Sequence, residues 1–228
     1  MPEFFDSFQR NPPPGFRGLR MDVPVEFYVR HLPHWRQAEA TYFVTFRLND
    51  ALHPQQLKKL VELKQQFLAR TPRPLTDEHW TKYARDTTRR IERWLDQGYG
   101  ACYFADPANS QLLADSLQHY HETRCETHSY VVMLNHAHAI MKPLGDYTLE
   151  DTLGLIKGYV ANQINLRNDT EGSIWAQESY DTIIRNGTHL ENAIQYIGRN
   201  GTKAKLPPEK YRRWINPTWE QAGWKFFE

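Results

Sequence analysis

A chain of 228 residues is long enough for one sizeable domain, or for one domain carrying an insertion. Its 28 lysines and arginines balance 27 aspartates and glutamates, so net charge makes no case for nucleic acid; any such case must come from local patches. No apolar run is long enough to span a bilayer, the first residues lack a signal-peptide core, and Cys102 and Cys125 form neither a disulfide framework nor a metal motif, so a cytoplasmic setting away from membranes is expected.

Residues 1–27 read as an irregular N-terminal extension, because Pro12-Pro13-Pro14-Gly15 fits neither a helix nor a central strand. Thr41 to Leu48, rich in β-branched and aromatic residues, is the first expected strand. Three helical patterns follow. Pro54 suits the opening turn of the first, where Leu57, Leu60, Val61, Phe67 and Leu68 recur at helical spacing. The second runs from about Asp77 to Gln97, with Trp80, Tyr83, Ala84, Ile91, Trp94 and Leu95 on one side and Gly98 at the C-terminal cap. Its other side interleaves Arg85, Arg89 and Arg93 with Asp86 and Glu92, the pattern of a solvated, paired face. Asp106-Pro107 introduces the third, which buries Leu112, Leu113, Leu117 and Tyr120 and continues through His119 and His121.

Two strands, roughly 127–133 and 136–142, come next, with Leu134-Asn135 as the turn. The second begins His136-Ala137-His138. On a strand, side chains two apart share a face, so these imidazoles stand side by side as half of a plausible metal site. His119 and His121 have the same spacing on an expected helix; there the rings diverge, and no chemistry is assigned to them. A helix follows from Thr148, with Asp151 completing a weak capping box and Leu149, Leu153, Ile156, Val160 and Ile164 forming its apolar face. Tyr180 to Arg185 is a last strand. From Thr188 a short helix carries Leu190, Ile194 and Ile197, with Gly201 at its end. The tail beyond holds Lys203, Lys205, Lys210, Arg212 and Arg213 against Glu209, followed by Trp214, Trp219 and Trp224. This order implies an α+β fold of the split βαβ, ferredoxin-like or RRM-like type: an antiparallel sheet with helices on one face and an enlarged helical first crossover over 53–123. Residues 28–206 form the expected domain and 207–228 a basic, aromatic tail.

Several stretches together resemble the REP-associated tyrosine transposases, a branch of the single-tyrosine HUH transposases, from about Arg30 to Leu206. They are His31-Leu32-Pro33-His34-Trp35, Thr41 to Leu48, Gly98-Tyr99-Gly100-Ala101-Cys102, Val131 to His138, Trp175 through Asp181-Thr182-Ile183-Ile184-Arg185-Asn186, and Tyr196-Ile197-Gly198-Arg199-Asn200. The resemblance implies that His136 and His138 are metal ligands, that Tyr196 is the nucleophile, and that Asn200 is a third ligand through its amide oxygen. It implies a metal-dependent endonuclease and strand transferase acting on single-stranded hairpin or palindromic DNA through a 5′-phosphotyrosine, with Mg²⁺ or Mn²⁺ as the ion. The chain departs from the family's pattern at Leu134 and Gly201, where proline is usual. The first departure is expected to loosen the turn presenting His136, the second to let the helix end move.

The chemistry is coherent without the name. Residues four apart on a helix share a face, so Tyr196 and Asn200 can look toward one ion. Packing that helix on the sheet face bearing both histidines assembles two nitrogens, one oxygen and open positions. A tyrosine oxygen attacking phosphorus conserves the energy of the phosphodiester in a covalent ester. Tyr159 and Tyr180 are the rival nucleophiles, the first expected as a boundary core residue and the second as strand-buried. DNA contacts are expected from Lys203, Lys205, Lys210, Arg212 and Arg213 and from exposed aromatics. The alternative is a domesticated, non-catalytic nucleic-acid-binding protein of the same fold; a zinc hydrolase is disfavoured because no carboxylate or cysteine stands at zinc-motif spacing. Monomer and homodimer fit the sequence equally.

Overall fold

The computed structural model describes residues 11–30 and 32–227; His31 and residues 1–10 of the expected extension lie outside them. Seven strands are described: β1 (Glu26–Val29), β2 (Pro33–Arg36), β3 (Tyr42–Arg47), β4 (Cys125–Val132), β5 (His136–Pro143), β6 (Tyr180–Ile183) and β7 (Arg212–Ile215). Six helices accompany them: α1 (Pro54–Arg70), α2 (Asp77–Leu95), α3 (Pro107–His119), α4 (Leu149–Asn168), α5 (Gly187–Lys203) and α6 (Pro217–Gln221). The main sheet is antiparallel, in the order β6-β3-β5-β4-β7. Its first four positions are the split βαβ arrangement the sequence implies, with α1, α2 and α3 filling the long crossover between β3 and β4.

Strand alternation divides the sheet's side chains between two cores. Tyr42, Val44 and Phe46 of β3 and Ala137, Ala139 and Met141 of β5 face α3 and α4, meeting Leu113, Leu117, Ile156, Val160 and Ile164. Phe43, Val131 and Ile140 point the other way, against Leu190, Ile194 and Ile197 of α5. Helical cover is therefore not confined to the one face expected. The stripe of Leu190, Ile194 and Ile197 needs an apolar partner, and the second sheet face supplies it.

The C-terminal residues do not form a free tail. Arg212–Ile215 pairs with Ser129–Val132 as an edge strand. Trp219 and Trp224 are buried in the α5-side core, and their indole N–H groups donate to the carbonyls of Pro14 (2.8 Å) and Asn11 (3.0 Å). Residues 11–25, which carry no helix or strand, are thus strapped to the end of the chain. Two glycines on α5 admit this wrapping. A Cβ at Gly198 would come within 2.7 Å of the Phe226 ring, and one at Gly201 within 2.3 Å of the Tyr211 ring. Gly201 does not end α5, which runs two residues further; it is the place where Tyr211 lies on the helix.

Other expectations shift in detail. The α1 stripe buries no residue fully, and Val61 stays 57% exposed. Helix α3 stops at His119, so His121 leaves it, and its Nδ1 accepts the Thr127 N–H at 3.0 Å. The β1–β2 hairpin, unread in the sequence, carries a polar cluster to the β6 edge: His34 contacts Asp181 (2.8 Å) through Nδ1 and Glu178 (2.9 Å) through Nε2, and Arg36 pairs with Asp181 and Glu150.

Two stability outcomes follow. In an open helical position Gly→Ala gains about 1 kcal/mol, whereas forced overlap in a packed core costs about 1–3 kcal/mol. Gly154 on α4 has nothing within 4 Å of an added Cβ, so Gly154→Ala should raise the urea midpoint and Gly201→Ala lower it. For His34, burial opposes the charged ring, but hydrogen bonds to Asp181 and Glu178 outweigh it and raise the pKa to about 9. A pKa raised on folding stabilises below the unfolded value of about 6.5, and that stabilisation is lost as pH climbs through the folded one. The melting-temperature gap between wild type and His34→Gln should therefore be widest near pH 6 and shrink toward pH 9.

Candidate active site

The site is built around the turn between β4 and β5. Leu134 and Asn135 make the turn, closed by the Met133 N–H donating to the His136 carbonyl at 2.8 Å. No proline stiffens it, yet it is not loose. The Phe104 N–H donates to the Leu134 carbonyl (3.1 Å), Asn135 Nδ2 donates to the Tyr99 carbonyl (2.8 Å), and the Leu48 N–H donates to the Asn135 carbonyl (2.9 Å). The segment Gly98–Cys102 thus cradles the turn. Gly100, at φ +93°, brings the cradle against Asp50, whose Oδ2 accepts the Ala101 N–H at 2.7 Å.

These contacts fix the imidazoles. Because Asn135 Nδ2 is spent on Tyr99, its Oδ1 is turned to His136 Nδ1 at 2.8 Å. A carbonyl oxygen only accepts, so His136 carries its proton on Nδ1 and presents the Nε2 lone pair. His138 stands opposite Thr45 of β3, and its Nδ1 is bonded to Thr45 Oγ1 at 2.7 Å. The two rings lie on one sheet face with centroids 4.9 Å apart. Both residues are buried, at 1% and 0% exposure. Burial, with Lys203 adding to it, pushes His136 down to about 3; burial, His136 and Lys203 push His138 well below its ordinary value. Neutral imidazole is the ligand form, so both are ready at physiological pH.

Helix α5 lies over this face. The Tyr196 ring stands edge-on to His138 (centroids 5.0 Å, 83°) and to Phe43 (5.8 Å). Asn200, fully buried, follows one helical turn later. His138 Nε2, the Tyr196 hydroxyl and both polar atoms of the Asn200 amide are buried and close no hydrogen bond of full geometry with the described residues, although Asn200 and Glu92 both lie beside the Tyr196 hydroxyl. Each unpaired buried group costs about 1–3 kcal/mol, so a ligand that met several of them here would be stabilising. Among the described residues no three His, Cys, Asp or Glu side chains group as metal ligands. A divalent ion bound here would take its third protein donor from an amide, and Asn200 offers one; two imidazoles and an amide oxygen suit an open site.

The structure brings together His136, His138, Tyr196 and Asn200. The basic residues fare differently. Lys203, on the last turn of α5, pairs with Asp96 at 2.8 Å and has its Nζ 5.4 Å over the Tyr196 ring. Arg213 is exposed on β7, where it donates to the Gly198 carbonyl (2.7 Å) and packs on Phe226. Lys205 and Lys210 are exposed, and Arg212 is half-buried on β7. Trp219 and Trp224 are enclosed and offer no face to an unpaired base. Of the rival tyrosines, Tyr159 is 53% exposed on α4, across the sheet from the histidines, not the boundary core residue expected. Tyr180 lies on β6 opposite Thr45, a strand further from His138.

Three residues at the site escape a reading by motif. Asn135, expected only to turn the chain, orients His136, and Thr45 orients His138. Glu92, expected on a solvated face, lies beside the Tyr196 hydroxyl; burial raises its carboxyl to about 7, against the pull of Lys203 and Tyr196. A cavity of about 370 Å³ lined by Tyr28, His34, Arg36, Lys157 and Trp175 lies on the α4 side of the sheet, away from this cluster.

No family model matches the chain, and no curated protein does. Among solved structures, a REP-associated tyrosine transposase bound to a REP hairpin is similar over 79% of this chain and 88% of that one, at 17% identity and a TM-score of 0.39. A likeness at that level carries no argument, so the functional reading rests on the site. Among the described residues no helix is long and apolar enough to cross a membrane.

Binding of an ion to the folded state alone adds about 2.7 kcal/mol at a hundredfold excess over Kd. Millimolar Mn²⁺ should raise the melting temperature of wild type and leave that of His138→Ala unmoved, with Asn200→Ala in between, by scanning calorimetry with and without the ion.

Proposed function

We propose that the protein is a metal-dependent single-stranded DNA endonuclease and strand transferase that cleaves and rejoins hairpin or palindromic DNA through a 5′-phosphotyrosine on Tyr196. The observation that carries the reading is the convergence of a buried histidine pair on one sheet face with a buried tyrosine hydroxyl and amide from helix α5 lying over it. The resemblance of the HUH and Tyr-Ile-x-x-Asn stretches to the single-tyrosine transposases supports it.

His136, His138 and Asn200 are the residues that would hold Mg²⁺ or Mn²⁺, which when bound offsets negative charge on a phosphoryl oxygen. The rest falls to the chain. Thr45 and Asn135 keep each imidazole in a set orientation. Helix α5, pressed on the sheet by Leu190, Ile194 and Ile197, holds Tyr196 over His138. Attack by the tyrosine oxygen breaks the phosphorus–3′-oxygen bond, leaving a free 3′-hydroxyl and a phosphotyrosine; attack by a 3′-hydroxyl on that ester rejoins the strand. Lys203, half-exposed beside the tyrosine ring and paired with Asp96, and the exposed Lys205, Lys210 and Arg213 would meet the phosphate backbone.

The test is incubation with labelled single-stranded hairpin DNA and Mn²⁺, followed by denaturing electrophoresis. Wild type should form a covalent adduct that maps to Tyr196 by peptide mass spectrometry. Tyr196→Phe keeps the ring and should bind the hairpin with near-normal affinity but form no adduct, while Tyr159→Phe and Tyr180→Phe form it. Metal-independent binding without any adduct in wild type would favour a non-catalytic DNA-binding protein, and an adduct persisting in Tyr196→Phe would refute the assignment.

A further inference from the structure

We propose that Glu92 of α2 takes the proton from the Tyr196 hydroxyl as that oxygen attacks phosphorus, and gives it back when the strand is rejoined. The inference deepens the strand-transfer reading and rests on it.

The geometry comes from the end of α2. Glu92 and Asp96 stand one turn apart and so share a face of the helix. Asp96 is committed to Lys203 at 2.8 Å, and Lys203 in turn lies 5.4 Å over the Tyr196 ring. This ion pair fastens the last turn of α2 to the last turn of α5. It leaves Glu92 beside the tyrosine, each acting on the other's side chain, while the buried Tyr196 hydroxyl closes no hydrogen bond of full geometry. Hydrogen bonds used in catalysis are often long in a free enzyme and tighten only in the complex. The charged and titratable groups facing Glu92 are Lys203 and Tyr196 from α5, Asp96 and Arg89 from α2, and Tyr180 from β6. Burial holds the carboxyl at about 7, where a base is both available and strong enough to matter. The nearby histidines do not compete for this role, since they are oriented by Asn135 and Thr45 with their Nε2 atoms given to the ligand side.

The step balances. The Tyr196 O–H bond breaks, its proton passes to the Glu92 carboxylate, and the oxygen's electron pair forms the bond to phosphorus. The phosphorus–3′-oxygen bond breaks with its pair on the 3′-oxygen, which takes a proton from solvent. On rejoining, the 3′-hydroxyl attacks the phosphotyrosine and releases its proton to solvent, and neutral Glu92 protonates the departing tyrosine oxygen.

The experiment measures single-turnover adduct formation by the full chain on hairpin DNA with Mn²⁺, between roughly pH 5.5 and 9, for wild type, Glu92→Gln and Glu92→Asp. Hairpin affinity and the Mn²⁺-induced shift in melting temperature are measured alongside. Wild type should show a rate rising through about pH 7 to a plateau. Glu92→Gln should be slower by about a hundredfold or more, lose that rise, and keep both the hairpin affinity and the Mn²⁺ shift. A Glu92→Gln rate within about threefold of wild type, or an unchanged pH rise, overturns the proposal. Should Glu92→Gln not fold, Glu92→Asp decides: a rise with a displaced midpoint supports the proposal and an unmoved one overturns it. Absence of any adduct in wild type overturns the strand-transfer reading and this inference with it, whereas a wild-type adduct with an unaffected Glu92→Gln overturns this inference alone.

Discussion

Two imidazoles enclosed between a sheet and a helix can exist there only as neutral rings, because an isolated buried charge costs far more than the contacts around it return. The structure depends on meeting that condition twice over, at His136 and His138. Each ring has one nitrogen satisfied by a neighbour of fixed position, Asn135 in the turn and Thr45 across the strand pair. Each therefore keeps its other nitrogen free of these neighbours, and that of His138 closes no hydrogen bond. The register of β3 against β5 is what makes Thr45 that neighbour, and a slip of one residue would send both imidazoles into the α3–α4 core.

The helix that closes the site is held from two sides. Its apolar stripe lies on the sheet, and its glycines at 198 and 201 receive the rings of Phe226 and Tyr211 from the C-terminal segment. The same segment adds the edge strand β7 and buries two tryptophans against the N-terminal Pro14 and Asn11. The position of Tyr196 over His138 is thus set by residues far along the chain that take no part in its chemistry. Of the basic residues expected to touch DNA, Arg213 and Lys203 also hold α5 in place, through the Gly198 carbonyl and Asp96, and Lys205 and Lys210 are exposed beside them.

The large crossover is more than a spacer. Helix α1 buries nothing fully and stacks Phe67 on Tyr83 of α2 (4.7 Å). Helix α2 contributes Leu95 to the α3–α4 core and turns Glu92 and Asp96 toward α5. The segment after α2 cradles the β4–β5 turn through Tyr99 and Phe104. An insertion with so many contacts at the site constrains where the tyrosine and its neighbours can move.

The sequence alone determined the elements whose cause is local. The β-branched and aromatic run at Thr41–Leu48, the capping of α4 by Thr148 with Asp151, the Asp106-Pro107 start of α3 and the period-two placement of His136 and His138 all follow from residues near one another in the chain. Strand alternation put the histidine pair on one face, and helical spacing put Tyr196 and Asn200 on another, before any fold was known. What only the tertiary structure decided depends on partners distant in sequence. β7 pairs through its backbone, which any side chains allow, so its charged and aromatic residues read as a tail. Glu92 has the periodicity of a solvated face because hydrophobic spacing records which side of a helix is apolar, not which polar residue a neighbouring helix will cover. Gly201 reads as a helix end because the ring that requires it arrives ten residues later, from Tyr211, after a turn that no local preference specifies.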